Sequence, residues 1–514
     1  FTFYFAVRGE TLRGFLTVCY GRSESGASIF MHSTAPVYSC AARNRLSAGG
    51  VRLRPRSSIL HRALVLTGVN LLLRGVGMLF QAWLSGRIGA GGIGLLQLVL
   101  TAGGFAMTLG RSGVRTAVMY LCAEELGAKR PGGVRRAITL CIGYALVCST
   151  LAAALLFVLS GWLAAAWIHN AAAAPPLRLL ALGLPLGCFV SVLSGYFTVC
   201  GKLRKLVAAE ICEQLLGVLL MVLLLHARGD SSAPGACCAI VAGSNLAALV
   251  PAVWLGASLW QTLRTAPTEP SRPMLRRLLH LTIPLGLSDN LRAGLRTLEQ
   301  FLIPAGLAAY TASSGAGLDA YGTICGMVFP VLMFPAAILF ALSELLVPEL
   351  ARCRAAKSHI RIRYLCRKTL RSELLFSFCV AALMYALAPQ LGRMIYHSAD
   401  AGRYLRLFSP LIPMLYTDAI VDGMCKGLGR QVACVRNNTI TSVLDVALLY
   451  FLLPRLGIRG YFISFLITHA VNFYLSVLLL LGAGELAPPE PILSVNAHRG
   501  LQLSAAGGTI EKIN

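Results

Sequence analysis

The chain has 514 residues, 56% hydrophobic and 13% charged, with 46 Lys and Arg against 21 Asp and Glu for a formal charge of +25. Its mean hydropathy is +0.69, and soluble domains carry about 25% charged residues, so a soluble globular protein is excluded. The basic excess does not mark a nucleic-acid binder either, because it comes in bursts between apolar runs and not as one patch.

Residues 1–55 are mixed and aperiodic, an extension expected to be disordered or not native. "FTFYFAV" is too short for a signal-peptide core and has no basic residue before it. If this segment is translated upstream sequence, the start is Met31, or Val51 with a GTG codon.

Apolar runs then recur to residue 482. Twelve membrane-spanning helices are predicted, at 60–86, 91–110, 137–160, 178–200, 206–226, 236–260, 278–305, 321–346, 371–392, 405–425, 437–454 and 460–482. The Leu- and Ala-rich composition favours helices over a barrel, the two ways a backbone can satisfy its own hydrogen bonds in lipid. The weakly polar "LAAAWIHNAAAAPP" makes the division between the third and fourth spans the least certain.

The first span holds Arg74 in "TGVNLLLRGVGMLFQAWL". An arginine near the bilayer centre costs about 2.5–3.5 kcal/mol, and each Leu, Ile, Phe or Val returns about 0.3–0.6 kcal/mol. The helix still inserts, at a penalty that asks for a function or a buried acid as partner. Asn70 precedes Arg74 by four residues and joins it as a cavity candidate. Glu213 lies in the fifth span.

The connections alternate between basic and poor. Arg111, Arg115, Lys129, Arg130, Arg135 and Arg136 follow the second span, Lys202, Arg204 and Lys205 the fourth, and Arg264, Arg272, Arg276 and Arg277 the sixth. Eight Lys and Arg from Arg352 to Arg371 follow the eighth, and Lys426, Arg430 and Arg436 the tenth, while 306–318 carries no Lys or Arg. The positive-inside rule places the rich connections and both termini in the cytoplasm. Only Arg455 and Arg459 run mildly against the pattern.

Six spans (56–260) precede the polar linker 261–277, and six (278–482) follow it. Each half opens with a long helix bearing intramembrane arginine, and its second helix runs into a long basic segment. Two repeats with a site between them are a common transporter plan. The Pro-rich tail 483–514 is expected to be disordered.

The seventh span, "LSDNLRAGLRTLEQ", carries Asp289, Arg292, Arg296 and Glu299. At 100° per residue they fall within about 80° of one another. Such a stripe either neutralises itself at i,i+3 and i,i+4 spacing or lines a wet cavity. With Arg74, Arg292 and Arg296 would form a cationic centre suited to phosphate or pyrophosphate, since the guanidinium fork takes two oxygens and stays charged when desolvated.

Glu344, Asp418, Asp422 and Asp445 are further acids in spans. Asp418 and Asp422 share a face at i,i+4, a pair that could bind Na+ or trade a proton, or simply cap or snorkel near the helix end. The 16 cysteines lie mostly in apolar segments and read as small packing residues. No phosphate loop, HExxH, metal-spaced Cys/His set or nucleophile–base pair occurs.

On these residues the chain resembles a known group. "GRIGAGGIGLLQLV", "GYFTVCGKLRKLVAAEICEQLLGV", "TIPLGLSDNLRAGLRTLEQFLIPAGL", "YGTICGMVFPVLMFPAAILFALSELLVPEL", "SPLIPMLYTDAIVDGMCKGLGRQ" and "LLPRLGIRGY" are similar to the stage V sporulation protein B group of oligosaccharide and lipid-linked-precursor flippases. That group belongs to the multidrug/oligosaccharidyl-lipid/polysaccharide (MOP) exporter superfamily. The resemblance implies an all-α membrane protein of two six-helix bundles in a V, with a central cavity opening alternately to each side. It implies undecaprenyl-linked sugars as cargo, and a link to spore-cortex peptidoglycan. Lipid II flippases of the superfamily use cavity arginines on the first helix and in the second bundle, and Arg74 with Arg292 or Arg296 match those places. They also carry two extra C-terminal helices, whereas twelve spans are predicted here.

The expected function is therefore flipping of a lipid-linked oligosaccharide or peptidoglycan precursor across the bacterial cytoplasmic membrane by alternating access. The expected partners are an undecaprenyl-linked (pyro)phosphate sugar lipid and membrane lipids, without nucleic acid, for a monomer. No cofactor and no enzymatic activity are expected, with Na+ or H+ coupling left open. A multidrug or cation antiporter of the MATE class is the alternative, with acids and aromatics around a cationic drug. A membrane-embedded glycosyl- or acyltransferase would need a catalytic acid or histidine in a substantial outer loop.

Overall fold

A computed structural model describes residues 57–481 apart from 129, 229–231, 265–273 and 357. The proposed starts at Met31 and Val51, the extension 1–55, much of the linker and the tail 483–514 lie outside the described residues, as do the side chains of Asn70 and Glu344.

The first half is a series of long apolar helices. Helix α1 (Ser57–Arg111) carries the first two predicted spans and is divided at Gly89, whose φ of 69° and ψ of 179° suit only a residue without Cβ. A joint at Ser112 and Gly113 leads to α2 (Val114–Gly127). Helix α3 (Pro131–Ala166) starts with proline, whose missing N–H costs nothing in a first turn. The third and fourth spans separate cleanly: the Asn170 side chain accepts the Ala172 N–H at 3.0 Å and opens a short turn before α4 (Ala174–Val199). Helices α5 (Leu203–Arg228), α6 (Ala233–Ala247) and α7 (Leu249–Arg264) complete this half.

In the second half α8 (Met274–Thr311) runs unbroken through Pro284 and Pro304. The eighth predicted span is broken into α9 (Ser314–Tyr321), a π-helical turn at Gly322–Val328, α10 (Phe329–Met333) and α11 (Ala336–Ala355). Helix α12 (His359–Tyr396) follows. The tenth span is likewise split, into α13 (Ala399–Phe408) and α14 (Ile412–Gly427), before α15 (Gln431–Leu456) and α16 (Ile458–Leu481). Each of the twelve predicted stretches lies mostly on helix among the described residues. By length and apolar composition, nine helical runs among the described residues qualify to cross a membrane, and the first of them holds parts of two predicted spans.

The large apolar side chains left exposed, such as Leu79, Leu151, Val158 and Phe378, stand on spanning helices, where lipid takes the place of a protein neighbour. Inside, one apolar core runs through both halves, from Phe80 and Ile93 to Tyr321, Phe408 and Tyr461. A second lies at the basic end, where Met274 and Leu278 of α8 pack with α2, α3 and α4. At the opposite end the halves touch through glycines. A Cβ at Gly322 would strike the Ala90 carbonyl and the Gly94 nitrogen, and one at Gly94 the Leu318 carbonyl. Small residues of this kind let helix backbones approach in a membrane.

Candidate functional site

Arg74 reaches from the first half to the second. Its guanidinium carbon lies 5.3 Å from the centre of the Phe340 ring on α11. A cation over an aromatic face gains about 0.5–2 kcal/mol, more as water is excluded, which offsets part of the cost of placing Arg74 in a span. Helix α8, bearing the other two predicted arginines, packs along α1.

The α8 stripe divides in two. Asp289 and Arg292 pair with each other at 2.9 Å and are each 44% exposed, the self-neutralising outcome that their i,i+3 spacing allows. Arg296 and Glu299 interact electrostatically, and Glu299 also interacts with Asp445 on α15. One residue on, the Gln300 Oε1 accepts from the buried Tyr321 hydroxyl at 2.9 Å and ties α8 to the broken eighth span. The π turn follows directly, and such turns are frequent at functional positions.

From Asp445 a polar chain crosses the second half. Thr468 of α16 donates to Asp445 at 3.2 Å. Its neighbour His469 meets Asp418 of α14, Nδ1 to Oδ2, at 2.5 Å, with the Phe465 ring 4.1 Å from the imidazole. Thr417, adjacent to Asp418, donates to Oε2 of Glu373 at 3.0 Å, and Glu373 is fully buried on α12. Five helices thus contribute ionisable or hydroxyl groups to one connected set. A charge in such an interior is costly unless paired and hydrogen-bonded, so each member of the set depends on the partners the others supply.

Asp418 and Asp422 do not form the joint site that their i,i+4 spacing suggested. Asp422 pairs with Lys426 and accepts from the Cys434 thiol at 3.2 Å, while Asp418 turns to His469. Asp418 looks to α16, while Asp422 is held by Lys426 of its own helix and by Cys434 of α15. Glu213 is buried in α5, in the first half. His469 and Glu373 were missed by sequence reasoning, although both stand in apolar stretches, "ITHAVNFY" and "SELLFSF", where any ionisable group signals function.

Comparison with known proteins places this architecture. Residues 59–352 match the family described as polysaccharide biosynthesis protein. Stage V sporulation protein B of Bacillus subtilis (strain 168) is 21% identical over 414 residues, covering 79% of this chain and 80% of that protein. Among solved structures, an inward-facing multidrug resistance MATE family transporter of the MOP superfamily aligns with a TM-score of 0.62 at 16% identity, over 81% of this chain and 96% of the other. Its outward-facing counterpart gives 0.56 at 16% identity, over 81% and 93%. The chain belongs to the polysaccharide biosynthesis protein family and has the fold of MOP superfamily transporters.

Proposed function

We propose that this member of the polysaccharide biosynthesis protein family is a flippase for a lipid-linked oligosaccharide or peptidoglycan precursor, working by alternating access in a bacterial cytoplasmic membrane with both termini and the basic connections inside. The observation that carries the reading is Arg74, an intramembrane cation of the first half held against the second. The cargo's pyrophosphate is taken by Arg74 with Arg296, or with Arg292 once it leaves Asp289, while the prenyl tail stays in lipid. Guanidinium groups suit this because they bind phosphate oxygens in pairs and do not lose their charge. The headgroup moves the equilibrium only by binding one orientation better than the other, and a clamp built from both halves supplies that difference, since its members separate when the halves rock.

Coupling is assigned to the second half. Glu299, Asp445, His469 and Asp418 exchange a proton or Na+ as the halves move, with Arg296 joining Glu299 to the clamp. The same acids, with Phe465 and Tyr461 beside them, favour a second reading, antiport of cationic drugs, which ethidium efflux would reveal.

The test is reconstitution in liposomes with fluorescent undecaprenyl-pyrophosphate sugars. Arg74→Ala is expected to lower translocation at least tenfold while the purified protein keeps its elution profile and melting midpoint. Arg74→Lys, which keeps the charge without the fork, should fall between. Unchanged translocation in Arg74→Ala overturns the clamp.

A further inference from the structure

A basic pocket lies at the start of α15, in the second half. There a cavity of about 330 Å³ is lined by Gly429, Arg430, Val432, Ala433, Arg436 and Leu479. We propose that it binds the phosphate headgroup of an anionic phospholipid from the surrounding bilayer.

Three features of the lining point to an anion. Arg430 and Arg436 both face the cavity. The Arg430 Nη1 donates to the Leu479 carbonyl at 3.1 Å; a guanidinium has five N–H donors, so this bond fixes its plane without exhausting it. The cavity also sits on the first turn of α15, after the left-handed Gly429. The first N–H groups of a helix have no carbonyl within it, and they carry the positive end of its dipole. Asp422, eight residues before Arg430, is engaged by Lys426 and Cys434.

The remaining lining separates a lipid from a soluble phosphate. Val432 is 76% exposed beside the two arginines, and Ala433 and Leu479 continue an apolar wall. An exposed valine next to a cationic pocket suits a ligand with a charged head and an acyl chain. Basic pockets between spanning helices at the inner surface are where anionic headgroups are held. The size fits as well, since small-molecule sites start at about 300 Å³.

The purified full-length protein is titrated in detergent with phosphatidylglycerol, with phosphatidylcholine and with inorganic phosphate. Melting midpoint and bound lipid by native mass spectrometry are the readouts. Phosphatidylglycerol is expected to raise the midpoint and to remain bound, phosphatidylcholine to bind at least tenfold more weakly, and phosphate at the same concentration to do neither. Arg430→Gln with Arg436→Gln should weaken phosphatidylglycerol binding at least tenfold, while Arg264→Gln, in the first half, leaves it unchanged. Arg436→Gln alone repeats the test if the double variant does not fold. Equal lipid binding by variant and parent overturns the site, equal binding of the two lipids overturns its charge selectivity, and a matching response to phosphate overturns the lipid assignment. Translocation does not enter these readouts, so failure of the flippase reading would leave them unaffected.

Discussion

Midway along the first half, the hydroxyls of Ser85, Thr101, Ser149 and Ser160 each donate to a carbonyl of their own helix. In the second half Thr417 and Thr468 also reach across to carboxylates of other helices, and Glu299, Glu373, Asp418, Asp445 and His469 join five helices together. The difference is mechanical as well as chemical. A hydroxyl satisfied within its own turn is indifferent to a neighbouring helix that slides, whereas a carboxylate satisfied across helices must find a new partner or a counter-ion when they move. The cross-helix bonds of the first half from Arg178 to Ser160 and from Lys205 to Ser258 end on hydroxyls and not on carboxylates. In the second half the proposed coupling therefore has groups that must change partners when helices move.

The strongest way to break this comparison is to remove charge from the second half. Glu299→Gln with Asp445→Asn is expected to abolish the acceleration of transport by a proton or Na+ gradient, a change of tenfold or more, while gradient-free exchange of labelled lipid continues. Glu213→Gln, which alters a buried acid of the first half, should change the gradient response less than twofold. An equal loss in both variants would mean that coupling is spread over the whole molecule.

A smaller effect is expected where the halves meet through glycines. Gly322→Ala puts a methyl group against backbone atoms of Ala90 and Gly94, which cannot swing aside as a side chain does. Overpacking of this sort costs about 1–3 kcal/mol, read as a lower melting midpoint in detergent. Gly143→Ala is the control, since a Cβ there meets nothing within 4 Å. It should be neutral or slightly stabilising, because alanine is better than glycine in a helix by about 1 kcal/mol. Equal midpoints would show that the contact at Gly322 is loose.

The same contrast explains what the sequence could tell. The apolar stretches were legible because most residues of a span face either lipid or apolar core. The Asp289–Arg292 pair was legible because three residues along one helix fix a distance. The breaks in the eighth and tenth spans were signalled by Pro335, Pro410 and Pro413 but hidden by uninterrupted hydropathy. The partners of Glu299 and Asp418 were not legible at all. Asp445 and His469 lie far along the chain, and no period links residues on helices that meet only in the folded protein. For Asp418 the local pattern was even misleading, since its i,i+4 neighbour Asp422 is bound to Lys426.

The smallest effect is expected at the basic end, where the first half meets the second through an ion pair as well as apolar packing. Arg277 of α8 donates to both oxygens of Glu124 on α2, at 2.8 and 3.0 Å, but the two side chains are 44% and 41% exposed. Water and salt screen a pair so open, and exposed pairs contribute about 0.2–1 kcal/mol. The apolar contacts of Met274 and Leu278 beside it carry more of the junction. Arg277→Ala should therefore lower the melting midpoint only slightly in low salt and by still less at high ionic strength, where the Debye length shrinks to about 3 Å at 1 M. Its effect should add to that of Gly322→Ala, because the two contacts stand at opposite ends of the helices and share no partner. A loss larger than that of Gly322→Ala, or one insensitive to salt, would show that the ion pair and not the glycine contact holds the halves together, and would shift the hinge of any rocking motion to the other end of the molecule.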